Sequence, residues 1–147
     1  MSIDSGIYIS VVSDSDEKFT KNFLMNLYNY GWSFDDHGQV SYLPIGDIDD
    51  YNWVSQTITL ANLLKTVEKK EERNEVVGVN ITWKDTQIGG DLLINPDGKI
   101  SFSLTVNRKL FDEEFGLVDV NWYLMRLIPP LANCDLYIDT ISYEELR

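Results

Sequence analysis

The chain has 147 residues, enough for one domain with a sizeable core, and its 44% apolar and 12% aromatic content argues against disorder. Its 24 acidic and 12 basic residues leave a net charge of −12, a field that repels phosphate backbones and weighs against direct nucleic-acid binding. The single cysteine, Cys134, rules out an internal disulfide and a cysteine-based zinc cluster. The negative charge is concentrated in residues 1–62 and 112–147, whereas 63–75 balance and 76–111 are slightly basic. No apolar run approaches the roughly 20 residues that span a bilayer, and "MSIDSGIYIS" lacks the basic-then-apolar order of a signal peptide. The expected setting is therefore cytoplasmic, away from membranes.

Taken in order, "GIYISVV" alternates Ile7, Ile9 and Val11 on one side of a strand. Asp14 and Glu17 then supply helix-start chemistry, followed by an apolar helical face of Phe19, Phe23, Leu24, Leu27 and Tyr28, with Gly31 placed to end the helix. "WSFDDHGQVSYLPI" reads as two short extended pieces around a turn at Asp36–Gly38. Trp53, Thr57, Leu60, Leu64 and Val67 recur at three-to-four spacing, which predicts one long helix over residues 53–72. Asp49 or Asp50 would cap it, and "KTVEKKEERNE" would be its exposed charged end. "VVGVNITW", "GGDLLIN" and "KISFSLTVN" predict a three-stranded antiparallel meander, with "NPDG" as a turn and the "IGGD" glycines marking a bulge or close crossing. "VDVNWYLMRLI" predicts a helix stopped by Pro129 and Pro130, and "DLYIDTI" a last strand. The expected fold class is α+β: residues 1–147 as a single domain, an antiparallel sheet with helices packed mainly on one face.

No catalytic pattern emerges. His37 is the only histidine, and Ser33, Asp36 and His37 are better explained by a polar turn than by a nucleophilic triad, with no nucleophile elbow in view. A calcium loop starting at Asp47 fails at its fifth position, which is Tyr51, and again at Asn52 and Ile58. "IGGD" lacks the later Gly, Lys and Ser/Thr of a phosphate loop. No cofactor and no metal site are expected, and Cys134 reads as an inert core thiol. What stands out is surface: Asp35, Asp36, Asp47, Asp49 and Asp50 lie close in sequence beside Trp32, Tyr42, Tyr51 and Trp53, and "DEEF" adds Asp112, Glu113 and Glu114. Aromatic anchors rimmed by carboxylates suit a partner rich in Lys and Arg. The competing reading is that Trp32 and Trp53 are core residues and the acids cover solvent faces, and for Trp53, on the apolar helical stripe, core is the favoured reading.

In size, acidity and element order, with segments such as "VGVNITW", "GKISFSLTVNR" and "NWYLMRLIPPL", the chain resembles immunity proteins of bacterial polymorphic toxin systems, including those paired with LXG-type toxins. The resemblance implies protection of the producing cell by tight, non-covalent binding to a cognate toxin domain, often a basic nuclease. It carries over no particular residue. The expected partner surface comprises Asp35, Asp36, Asp47, Asp49, Asp50, Tyr51, Asp112, Glu113 and Glu114. A small ligand-binding or regulatory domain, with an apolar pocket between sheet and helices, is the competing expectation; a carboxylate-dependent hydrolase is a third.

Overall fold

The computed structural model describes residues 4–13 and 18–147. In chain order its elements are β1 (Asp4–Val12), α1 (Thr20–Tyr30), β2 (Trp32–Ser33), β3 (Val40–Tyr42), β4 (Val54–Gln56), α2 (Leu60–Glu72), β5 (Val77–Trp83), β6 (Gly89–Ile94) and β7 (Lys99–Val106). There follow β8 (Leu110–Asp112), β9 (Leu117–Val118), α3 (Val120–Ala132) and β10 (Tyr137–Leu146). The fold is α+β.

The main sheet runs β10-β1-β7-β6-β5-β3-β4, antiparallel throughout, and β2 pairs with the far end of β5. Strand alternation divides it into two faces. Ile7, Ile9 and Val11 join Val77, Val79, Ile81, Leu92, Ile94, Ile100, Phe102 and Leu104 in one buried cluster with Phe23, Leu24 and Leu27 of α1, Leu63 and Val67 of α2, and Tyr123, Leu127 and Leu131 of α3. The opposite face carries Tyr8, Ser101, Ser103, Asn80 and Thr82, which are exposed or half-buried. The meander is formed as expected: Gly98 closes the β6–β7 turn at φ 88°, donating to Asn95 O at 3.1 Å. The "IGGD" glycines mark close crossings, since a Cβ on Gly89 would lie 2.1 Å from Ile81 O and one on Gly90 2.0 Å from Ser103 O.

Several expectations need correction. The helix expected over 53–72 starts only at Leu60. Its cap is Thr59, whose side chain accepts from Asn62 N, so neither Asp49 nor Asp50 caps it. Residues 54–56 form β4, where Val54 pairs with Tyr42 and the Ser41 and Ser55 hydroxyls meet at 2.7 Å. The β-branched run Val54, Thr57, Ile58, Thr59 favours extended backbone over a helix, and the helical spacing across it was coincidental. The β8–β9 hairpin was not foreseen. The Asp14–Glu17 pair lies outside the described residues, and α1 takes a cap from elsewhere: Glu71 of α2 accepts from Thr20 N and Lys21 N at 3.1 and 3.2 Å.

Pro129 and Pro130 do not stop α3 but sit inside its last turn. Pro130 has no N–H to offer the carbonyl four residues back, that of Arg126. The Trp32 indole fills the gap, donating to Arg126 O at 2.9 Å from a fully buried position. The missing backbone donor thus becomes the anchor for the core tryptophan. Trp32 also meets Trp83, Phe102 and Trp122 edge-on, and the Arg126 guanidinium lies over the Trp122 and Trp83 rings.

Candidate functional site

On α2 the buried stripe of Leu63, Leu64 and Val67 continues to Lys70, which is only 1% exposed. The ammonium reaches the β3–β4 loop, donating to Pro44 O at 2.6 Å and Asp47 O at 3.1 Å, with the Glu75 carboxylate 3.4 Å away. Glu75 in turn accepts from Gly46 N at 2.7 Å and pairs with Arg73 at 2.9 Å. Burial lowers the Lys70 pKa from its ordinary value, against the pull of Glu75. Burial alone would push the Glu75 carboxyl up, but the Gly46 amide, Lys70 and Arg73 outweigh it and hold it below the usual carboxylate range.

A second carboxylate completes the clamp. Asp47 is buried, its Oδ1 accepting from Tyr51 N at 3.0 Å and its Oδ2 from Asn52 N at 2.7 Å. Desolvating charges is expensive unless every lone pair and proton finds a partner, and here the partners are the loop's own backbone. The loop is therefore held in one shape. It turns outward Ile45, Ile48 (61% exposed), Asp49, Asp50 and Tyr51 (46% exposed). Tyr51 sits at φ 53°, a left-handed conformation that costs a bulky residue about 1 kcal/mol or more and persists only where the surroundings impose it.

The nominated acids fall in three places. Asp49, Asp50 and Tyr51 stand together on this loop. Asp47 shares the loop but faces inward, so it belongs to the scaffold and not to the outer surface. Asp35 and Asp36 are exposed beyond β2, which pairs with Thr82 and Trp83, whereas the loop docks at the other end of β5, where Leu43 N donates to Gly78 O. That is about 15 Å along the strand. Asp112, Glu113 and Glu114 belong to the β8–β9 hairpin, where Asp112 is spent on accepting Glu114 N and Phe115 N. Arg147 grips that hairpin through Phe115 O and Gly116 O, so it lies on the β10 side of the sheet. Of these acids only Asp36 has an ion-pair partner among the described residues, and that is His37 at 3.5 Å.

The sequence reading missed Ile45, Ile48, Lys70 and Glu75, as well as Phe111 and Phe115, which protrude from the hairpin. One signal for Lys70 was available: its position three residues after Val67 continues the apolar stripe into a segment expected to be exposed. Of the aromatics beside the acids, Trp32 and Tyr42 are core, Trp53 is half-buried off any helix, and only Tyr51 is displayed. The Ser33 hydroxyl is occupied with the backbone of Asp35 and the His37 side chain is almost fully exposed, as a polar turn requires. Burial raises the Cys134 thiol pKa in its core site, where Asn26 Nδ2 approaches the sulfur.

A groove of about 730 Å³ opens on the outer face of the sheet, lined by residues that include Tyr8, Ser103, Arg108 and Glu144. No group of three or more metal-ligating side chains occurs among the described residues, and no described helix is long and apolar enough to cross a membrane. No family model, curated protein or solved structure matches the chain.

Proposed function

We propose that the chain is an immunity protein: it binds a cognate, basic toxin domain, a nuclease in the simplest case, and blocks it by occupying the surface that meets substrate. The observation that carries this reading is the clamped β3–β4 loop. Three buried charged residues fix the backbone of a segment whose outward side chains are two isoleucines, a tyrosine and two aspartates with no ion pair among the described residues. Rigid apolar anchors beside free carboxylates suit tight binding, because no ordering cost falls due on association and the charges speed encounter with a cationic surface. A nuclease must present positive charge to phosphate, and the chain's net charge of −12 competes for that same surface.

The test is a pull-down from the producing cell followed by binding kinetics with the captured domain. The captured protein should be basic and toxic when expressed without this chain. Asp49→Asn with Asp50→Asn should slow association at low salt by about tenfold, and the effect should fade as salt rises. Tyr51→Ala or Ile48→Ala should instead raise the dissociation rate, by about tenfold or more if either is an anchor. Capture that ignores salt and all four substitutions would remove this loop from the function.

A further inference from the structure

The two edges of the main sheet are unequal. β4 is three residues long, short enough to offer little to another strand, whereas β10 has ten residues and, among the described elements, no strand paired to its outer edge; the β8–β9 hairpin reaches only its end, at Arg147. Long, open edges are templates for strand addition, and proteins blunt them with proline, charged side chains, bulges or cover. Tyr137–Leu146 contains neither proline nor lysine. Its only irregularity is a bulge at Asp139, left without a partner between the Ser10–Thr140 and Val11–Ile138 pairs.

We propose that β10 is a docking edge for an extended, lysine- or arginine-bearing segment of another protein, added as a further strand. Charge selects this occupant. Asp139 and Glu144 are exposed with no ion pair among the described residues, while Glu145 is taken by Arg147 and the Tyr143 hydroxyl. A second copy of this chain is disfavoured. Antiparallel self-pairing with Tyr137 opposite Leu146 sets Asp139 against Glu144 at two places; a shift of one residue sets it against Glu145 in one direction and Tyr143 in the other, and the net charge of −12 on each copy opposes every register. A cationic strand reverses both clashes. Exposed Tyr137, Ile141 and Leu146 add apolar contact along the edge. The site lies six strand spacings from β4, about 29 Å, so it does not depend on the β3–β4 loop.

The probe is a synthetic peptide matched in length to β10, of valine and threonine with lysines set opposite Asp139 and Glu144. Its binding is read by amide exchange on the whole protein. Exchange should slow by at least about tenfold at alternate amides of β10 and nowhere on β4. N-methylation of the peptide amides that face β10 should abolish the effect, and N-methylation of the other edge should leave it intact. Replacing the peptide lysines by glutamate should also abolish it. Asp139→Asn with Glu144→Gln should weaken binding about threefold or more, whereas Asp49→Asn with Asp50→Asn should not change it. The proposal is overturned by absence of slowing at millimolar peptide, by equal sensitivity to N-methylation on either edge, or by protection of β10 in the unbound protein through self-association.

Discussion

Replacing Lys70 by methionine tests whether the buried charge cluster holds the β3–β4 loop. The unbranched apolar stem is kept, one atom shorter, but the ammonium that joins Pro44 O, Asp47 O and Glu75 is lost. Removing one partner of a buried ion pair costs about 3–5 kcal/mol, because the other charge is left uncompensated. Glu75 keeps Arg73 and the Gly46 amide, which puts the expected loss at the lower end, about 3 kcal/mol. With a urea slope of about 2 kcal/mol/M, the unfolding midpoint should fall by roughly 1.5 M, read by tryptophan fluorescence. Amide exchange at Gly46, Tyr51 and Asn52 should quicken well beyond this global loss, while β6 and β7 follow the global loss alone. The Lys70→Met/Glu75→Gln double variant should be less destabilised than the sum of its parts by about 1 kcal/mol or more, since the two groups share one set of bonds. A loss below about 1 kcal/mol, or strict additivity, would falsify the clamp.

Other substitutions probe the remaining joints. Glu71→Ala removes the cap that α2 supplies to α1 and should cost about 1–2 kcal/mol, a fall of about 3–6 °C in Tm; an unchanged Tm would mean that other groups satisfy Thr20 N and Lys21 N. Trp32→Phe strands the Arg126 carbonyl and should cost about 1–3 kcal/mol beyond the smaller ring. Adding Pro130→Ala returns a backbone N–H four residues on, so the double variant should recover part of that loss, and a purely additive result would break the link between proline and indole. The Glu75 and Glu145 pKa values are both held below their ordinary value, so each contributes stability above about pH 4.5 that is lost as pH falls through the lower folded value. Urea midpoints taken down to pH 2 should show this, and Glu75→Gln should flatten the decline; an equally steep decline in that variant would contradict the assignment.

The parts of the fold legible in the sequence were those where burial follows the backbone period. β1, β5, β6, β7 and the apolar face of α1 each show one covered side, and their alternation or helical spacing comes directly from that. β4 was hidden because Trp53, Thr57 and Leu60 mimic a helical stripe, and only their β-branched neighbours argued otherwise. The hairpin of β8 and β9 was hidden because its strands are three and two residues long, too short to show a period. At the site, residue type located the acids but not their direction. Asp47 and Asp49 look alike in sequence, yet one turns inward to hold backbone amides and the other outward. The loop backbone on which that difference rests is held by Lys70 and Glu75, more than twenty residues later, and the local sequence does not show that contact.

The pairing of β1 with β10 also bears on how the molecule is made. β7 follows β1 by some 87 residues and β10 by some 125, so at ribosomal speeds of roughly 10 residues per second β1 waits about 9 seconds for its first neighbour and about 12 for its second. During that interval the alternating Ile7, Ile9 and Val11 present an unmatched ladder to any other nascent chain. Chaperone dependence during synthesis should therefore be set by this first strand, even though in the finished protein it lies inside the sheet.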